Sequence, residues 1–241
     1  MSKQSGLGAT FLYGGVDLSG DVGSLDTISG GPAALDVTGI KSFASERIGG
    51  LLSGDLQFSS WFNTDLGAEH ATLSPLPTGD VIGTGFFASP SIGDPVFSIN
   101  GKQLNYDGTR GADGSMSFKI EVQSNGFGLE WGELLTAGLL TDTTATNHTS
   151  KDEAASTSFG AQAYLQVTAI TGTSATVKVQ HSSDNSSFSD LIAFTAATGP
   201  VAQRVAATGT VNRYIRVTTT GTFTVASFVV HFSRNATAVN L

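Results

Sequence analysis

The sequence predicts a mainly β protein: a barrel or sandwich carrying one short helix over residues 1–142, a linker over 143–159, and a second β-sandwich over 160–241. Three observations carry this prediction. Apolar and polar residues alternate with a period of two in long runs, the pattern of strands with one face buried. Thirty glycines, 9% aromatics and 13% charged residues describe a turn-rich chain, with about half the usual charge content of roughly 25%. Composition also divides along the chain. Residues 1–150 hold 25 glycines and 6 Lys+Arg against 16 Asp+Glu, a balance of −10, whereas residues 151–241 hold 5 glycines and 6 against 4, a balance of +2. A chain of 241 residues is long enough for two units, each with its own core.

Two stretches organise the first region. Residues 41–63, KSFASERIGGLLSGDLQFSSWFN, place Leu56, Phe58 and Phe62 on one parity and Asp55, Gln57 and Ser59 on the other. Residues 114–126, GSMSFKIEVQSNG, alternate Met116, Phe118, Ile120 and Val122 with Ser117, Lys119, Glu121 and Gln123. Two strands of this kind make a sheet that packs on one side and meets water on the other.

The remaining elements follow in order. Residues 11–18 read as a first strand, and 20–32 as a Gly/Ser/Asp loop without periodicity. That loop is either a disordered connection or an arm ordered against a neighbouring copy, with Leu25 and Ile28 as its anchors. Short strands over 35–40 and 45–48 lead to the Gly49-Gly50 break. Residues 63–74 carry helix signals: Asn63 or Asp65 as cap, Leu66, His70 and Leu73 at helical spacing, and Pro75 and Pro77 beyond. Residues 80–89 and 96–106 are strands, with Asn100-Gly101 either a type I′ turn or a kink. Residues 107–114 make a tight reversal, 127–131 resume extended structure, and 132–140 suit either a helical turn or a strand. The run TDTTATNHTSKDEAASTS over 141–158 lacks large apolar residues, as a linker or surface loop does.

Alternation returns over 160–234. Leu165, Val167 and Ala169 share a face, as do Ala175, Val177 and Val179, Ile215 and Val217, and Phe228, Val230 and Phe232. Turns at Gly172, Asp184-Asn185, Gly199, Gly209 and Gly221 space these strands as a sandwich requires.

Chemistry is thinly represented. Without cysteine there is no disulfide, thiolate metal site or cysteine nucleophile. His70, His148, His181 and His231 show no metal-ligand spacing; His70 should pack on its helix and His231 should face solvent. Glu130 and Glu133 read as exposed acids, and neither a phosphate loop nor a Gly-x-Ser-x-Gly elbow occurs. These readings point away from an enzyme and call for no cofactor or metal. No run approaches the ~18 apolar residues of a membrane span, and nothing resembles an export signal, so a soluble product made in the cytoplasm is expected. The acceptor-like triplets at Asn147, Asn185 and Asn235 are then chance matches. Tyr164, Phe188 and Tyr214 either pack at the sandwich edge or form a glycan-binding surface.

The runs SERIGGLLSGDLQFSSWFN and NYDGTRGADGSMSFKIEVQSNGFGLEWG resemble the major tail tube proteins of long-tailed bacteriophages, over roughly the first 140 residues. The resemblance implies a tail-tube-like barrel, homohexameric rings stacked around a tape-measure protein, a tail terminator partner, and a place in the virion tail after assembly in the host cytoplasm. It also implies DNA passing through the lumen at ejection, with the second domain projecting as a decoration. The phrase VNRYIRVTTTGTFTVASFVVHFSRN looks like the closing strands of galactose-binding-like jelly rolls, an Ig-like sandwich being the other form.

A sheet left open in one molecule is completed when copies stand side by side around a bore, which consumes its edges. Asp55, Gln57, Ser59, Lys119, Glu121 and Gln123 are then the candidate lumen-facing residues. An acidic lining leaves DNA free to slide, since no lysine array binds its phosphates. The first region should assemble without the second. The alternative is a virion-surface module whose second sandwich grips a host-surface glycan.

Overall fold

The computed structural model describes residues 5–238, which form fourteen strands and one short helix. The chain is mainly β as its sequence predicts. All strands join in one open antiparallel network.

The first region contains β1 (Thr10–Tyr13), β2 (Val16–Asp17), β3 (Val22–Asp36), β4 (Arg47–Trp61), β5 (Val81–Phe86), β6 (Pro95–Gln103), β7 (Asp107–Arg110) and β8 (Met116–Leu134). They lie in the order β3-β4-β8-β6-β5-β1-β2, with β7 along β8. The sheet curls strongly: β1 and β4 lie far apart in that order, yet the Phe11 and Phe58 rings approach to 4.9 Å. Inside the curl, Leu56 and Phe58 pack with Phe118, Ile120 and Val122, the parity read from sequence. Each such side chain contributes roughly 1.5–3 kcal/mol by leaving water.

Three expectations change here. The aperiodic loop over 20–32 is part of β3, paired with β4 from Val22↔Ser60 to Asp36↔Arg47. Register shifts after Val22, Leu25 and Pro32 each reset the alternation, so no period of two survives in the sequence. Secondly, the amphipathic stretches of β4 and β8 leave no edge open where they face each other: residues 55–61 of β4 lie between β3 and β8, and the facing part of β8 between β4 and the pair β6/β7, while residues 47–54 of β4 pair with β3 alone. The free edge moves outward to β3. Thirdly, the helix is only α1 (Glu69–Leu73). Gly67 adopts φ +77°, which blocks an earlier start, and Leu66 stays exposed. Neither Asn63 nor Asp65 caps it; the Asp21 carboxylate accepts from the Glu69 N–H at 3.1 Å. His70 does sit on the helix, its Nδ1 2.9 Å from the Tyr106 hydroxyl.

Asn100-Gly101 is a kink within β6, not a hairpin turn. A side chain at Gly101 would lie 2.3 Å from the Gln123 carbonyl oxygen, so only glycine admits β8 this closely.

The second region contains β9 (Leu140–Asp142), β10 (Lys151–Asp152), β11 (Ala161–Ser182), β12 (Ser189–Ala193), β13 (Val201–Ala207) and β14 (Tyr214–Arg234). β11 and β14 pair along their whole lengths, from Ala161↔Arg234 to Ser182↔Tyr214. Fully extended, such strands would span about 70 Å. Instead Leu165 and Val167 from one end share a core with Val177 and Val179 from the other, so the ribbon folds over itself into two layers. β13 pairs the first end of β11 and β12 the second. The expected turns at Gly172 and Gly221 are bends within these strands, at φ +135° and +125°. A Cβ at Gly221 would stand 2.3 Å from the Ser174 carbonyl oxygen.

The segment over 143–159 runs along β14 rather than hanging free as a linker. It pairs at Lys151↔Ile215 and bridges at Asn147↔Thr218 and Thr157↔Val211. β14 also reaches the first region, pairing His231↔Leu134 and Phe232↔Glu133 on β8. Val229 of β14 closes a small core of Leu12, Phe86, Val96 and Leu134.

Candidate functional site

The polar faces of β3, β4 and β8 form one continuous surface. Their registers align three rows: Ser24–Ser59–Lys119, Thr27–Gln57–Glu121 and Ser29–Asp55–Gln123. All six residues singled out from sequence, Asp55, Gln57, Ser59, Lys119, Glu121 and Gln123, therefore lie on one side. Asp26 joins them, accepting from Ser24 Oγ at 2.7 Å and Ser59 Oγ at 2.8 Å. Amides steady the acids: Gln57 donates to Asp55 at 2.9 Å and Gln123 to Glu121 at 2.8 Å. Burial, followed by the Glu121 charge, raises the Asp55 carboxyl above its usual range, while the Gln57 amide opposes the shift. The rows continue to Lys102 of β6 beside Gln123 and to Asp107 of β7 beside Lys119, so Asp26, Asp55, Asp107 and Glu121 outnumber Lys102 and Lys119 and the face is net negative. Trp61 ends the face, half exposed and lying against Gly23.

Beyond this face β3 and β4 continue as a two-stranded ribbon. Gly30 and Gly54 let it pass against Leu129, where a Cβ on either would come within 2.8 Å of the leucine side chain. Past that crossing, Leu35, Ile40, Phe43, Ile48, Leu51 and Leu52 are exposed, Ile40 and Phe43 completely. Leu25 and Ile28, expected as anchors on a neighbouring copy, instead pack on the chain's own core. The apolar stretch left exposed thus lies one half-strand later than the anchors the sequence predicts. The signal that finds it is the apolar density of residues 35–52 around a turn.

The second region brings different residues together. Tyr164 is 1% exposed and forms no platform: its hydroxyl bonds Glu130, and its ring stacks on His231 at 5.1 Å. His231 is wholly buried rather than solvent-facing, with Nδ1 2.7 Å from Ser98 Oγ. Burial, then the Arg204 charge, holds it neutral, with its pKa at about 3. Glu130 and Glu133 are not free exposed acids. Arg204 donates to Glu130 at 3.1 and 3.2 Å, and Lys151 binds Glu133. Phe188 and Tyr214 remain near the surface, but each has a guanidinium over its ring: Arg216 at 4.0 Å and Arg213 at 5.0 Å.

Among the described residues no group of three or more His, Cys, Asp or Glu side chains is placed to hold a metal ion. No helix among them is long and apolar enough to cross a membrane.

No family model and no curated protein matches the chain. Among solved structures, similarity is found to the tail of an empty GTA particle computed in C6 symmetry, at 16% identity and a TM-score of 0.39, covering 53% of this chain and 97% of that one. The SPP1 Dit protein (gp 19.1), a hub adsorption apparatus of Gram-positive infecting phages, is similar at 10% identity and a TM-score of 0.31, covering 94% of this chain and 99% of that one. Neither superposition is close enough to define a shared fold.

Proposed function

We propose that the chain is a structural subunit of a long-tailed phage tail, closing side by side into rings that stack as a tube. One observation carries the reading: a continuous acidic-polar face on β3, β4 and β8 stands beside a projecting apolar ribbon with a free edge on β3. An isolated two-stranded ribbon is marginal in water, and an open edge invites another chain. A second copy supplies both the cover and the pairing. Once the ribbon and edge are occupied, the polar face is the surface left to line a bore. Its excess of carboxylates over ammonium groups lets a duplex pass without gripping phosphates.

By the sequence resemblance the rings are hexamers, built on a tape-measure protein and closed by a terminator, with DNA conducted at ejection. The glycan-binding alternative loses support. Tyr164 is enclosed, and the guanidinium groups of Arg213 and Arg216 occupy the ring faces on which a sugar would stack.

Negative-stain microscopy with light scattering on concentrated full-length protein tests the proposal. Rings or tubes are the expected outcome. A monodisperse monomer at every concentration, with the ribbon protected from hydrogen exchange, would sink it.

A further inference from the structure

A cluster of four charges ties β8 to the segment over 143–159. The Lys151 ammonium bonds Glu133 on β8 and lies 2.6 Å from Glu153 Oε1, while Arg234 Nη2 stands 3.6 Å from Glu153 Oε2. Glu133 Oε1 is enclosed and has no hydrogen-bond partner. Two carboxyl groups thus share the Lys151 ammonium, with Arg234 at longer range beside Glu153 only, in a partly buried site where ionising both carries a cost.

We propose that Glu133, Lys151 and Glu153 form a proton-operated latch, fastening segment 151–153 to β8 while Glu133 is protonated and loosening when it ionises. In the closed form the Glu133 hydroxyl donates to the Glu153 carboxylate, while Lys151 donates to Glu133 and its charge stands beside Glu153. On opening, the proton passes to water and two carboxylates remain beside the shared Lys151 ammonium, with Arg234 reaching Glu153 alone. Burial, then the Glu153 carboxyl, pushes Glu133 from 4.5 up to about 7, while Lys151 pulls it down. Burial acts the same way on Glu153, but the Glu133 hydroxyl, Lys151 and Arg234 outweigh it and hold Glu153 below the usual range. The sign follows. A carboxyl with a raised closed-state pKa favours closure fully below about 4.5, and that contribution is lost as pH rises through about 7.

Other ionisable groups nearby have separate engagements. Asp94, in the turn before β6, accepts from the Ser91 N–H at 2.7 Å. Asp152 is paired with Arg213 at 2.6 Å. His231, behind Gly132, stays neutral. Two imidazoles are near enough to compete: His148, on the same segment, lies 3.0 Å from Asp142, and His181, across Ile215 from Lys151, accepts from the Asn212 N–H at 3.2 Å.

The test is amide hydrogen exchange of the full chain between pH 5 and 8.5, corrected for intrinsic rates, in a background carrying His148→Gln and His181→Gln. Protection of residues 151–155 is expected to fall roughly tenfold or more, with a midpoint near the Glu133 value of about 7. Glu133→Gln should abolish the step. Glu153→Gln should move its midpoint downward, because Glu133 then faces a neutral amide. A flat profile in the parent, or a step that persists in Glu133→Gln, overturns the latch. If Glu133→Gln does not fold, an unmoved midpoint in Glu153→Gln overturns it.

Discussion

Arg204 shows how much one side chain can hold together here. Its guanidinium donates to Glu130 and the Tyr164 hydroxyl, and its plane lies 3.6 Å over the Phe127 ring. Arg204→Met strands a largely buried carboxylate and should cost about 3–5 kcal/mol in urea unfolding. Glu130→Gln added to it should recover part of that loss, because no unpaired charge remains. Gly221→Ala should cost at least roughly 1–3 kcal/mol, since its added carbon would collide with the Ser174 carbonyl at a backbone angle only glycine favours. At this scale the sequence is least legible. Alternation assigns each residue a face, yet says nothing of what the other layer offers that face. Tyr164 and His231 look like surface residues until Glu130 and Ser98 arrive from 34 and 133 positions away.

Strand pairing is more readable. β4 and β8 each bury one parity against a single core, so their period of two survives in the chain, and alternation alone is enough to group the six polar partners. β3 cannot be read this way, because three bulges reset its phase. The hairpin of β3 and β4 separates two roles along its length, and substitutions should separate them too. Leu25→Ala and Ile28→Ala remove packing from the core and should lower unfolding stability by about 1–3 kcal/mol each. Phe43→Ser and Leu51→Ser touch only solvent in the single chain and should change stability by less than about 0.5 kcal/mol. Their predicted effect is on assembly: light scattering should show the folded subunit failing to form rings.

The whole molecule is less divisible than its composition suggests. The charge and glycine asymmetry across residue 150 is real, but β14 crosses it by pairing with β8 and by placing Val229 among Leu12, Phe86, Val96 and Leu134. Gln166 crosses it as well, accepting from the Gly15 N–H at 2.8 Å and donating to the Ile82 carbonyl at 2.8 Å. Composition records how each stretch meets water; it does not record a strand shared between two cores. A fragment ending at residue 150 should therefore bind hydrophobic dye and lose cooperative unfolding, whereas the full chain should melt in a single calorimetric transition.

β14 supplies residues to the second region's core and, through Val229, to the small core around Leu12 and Phe86, so neither of these is finished until that strand has left the ribosome. A nascent chain holds its sticky ribbon, residues 30–54, long before it holds a mature body. Premature joining of half-made chains on neighbouring ribosomes is the hazard of this order of synthesis. Under the proposed assembly, the strand that completes the subunit thereby sets the moment at which orderly ring closure can begin.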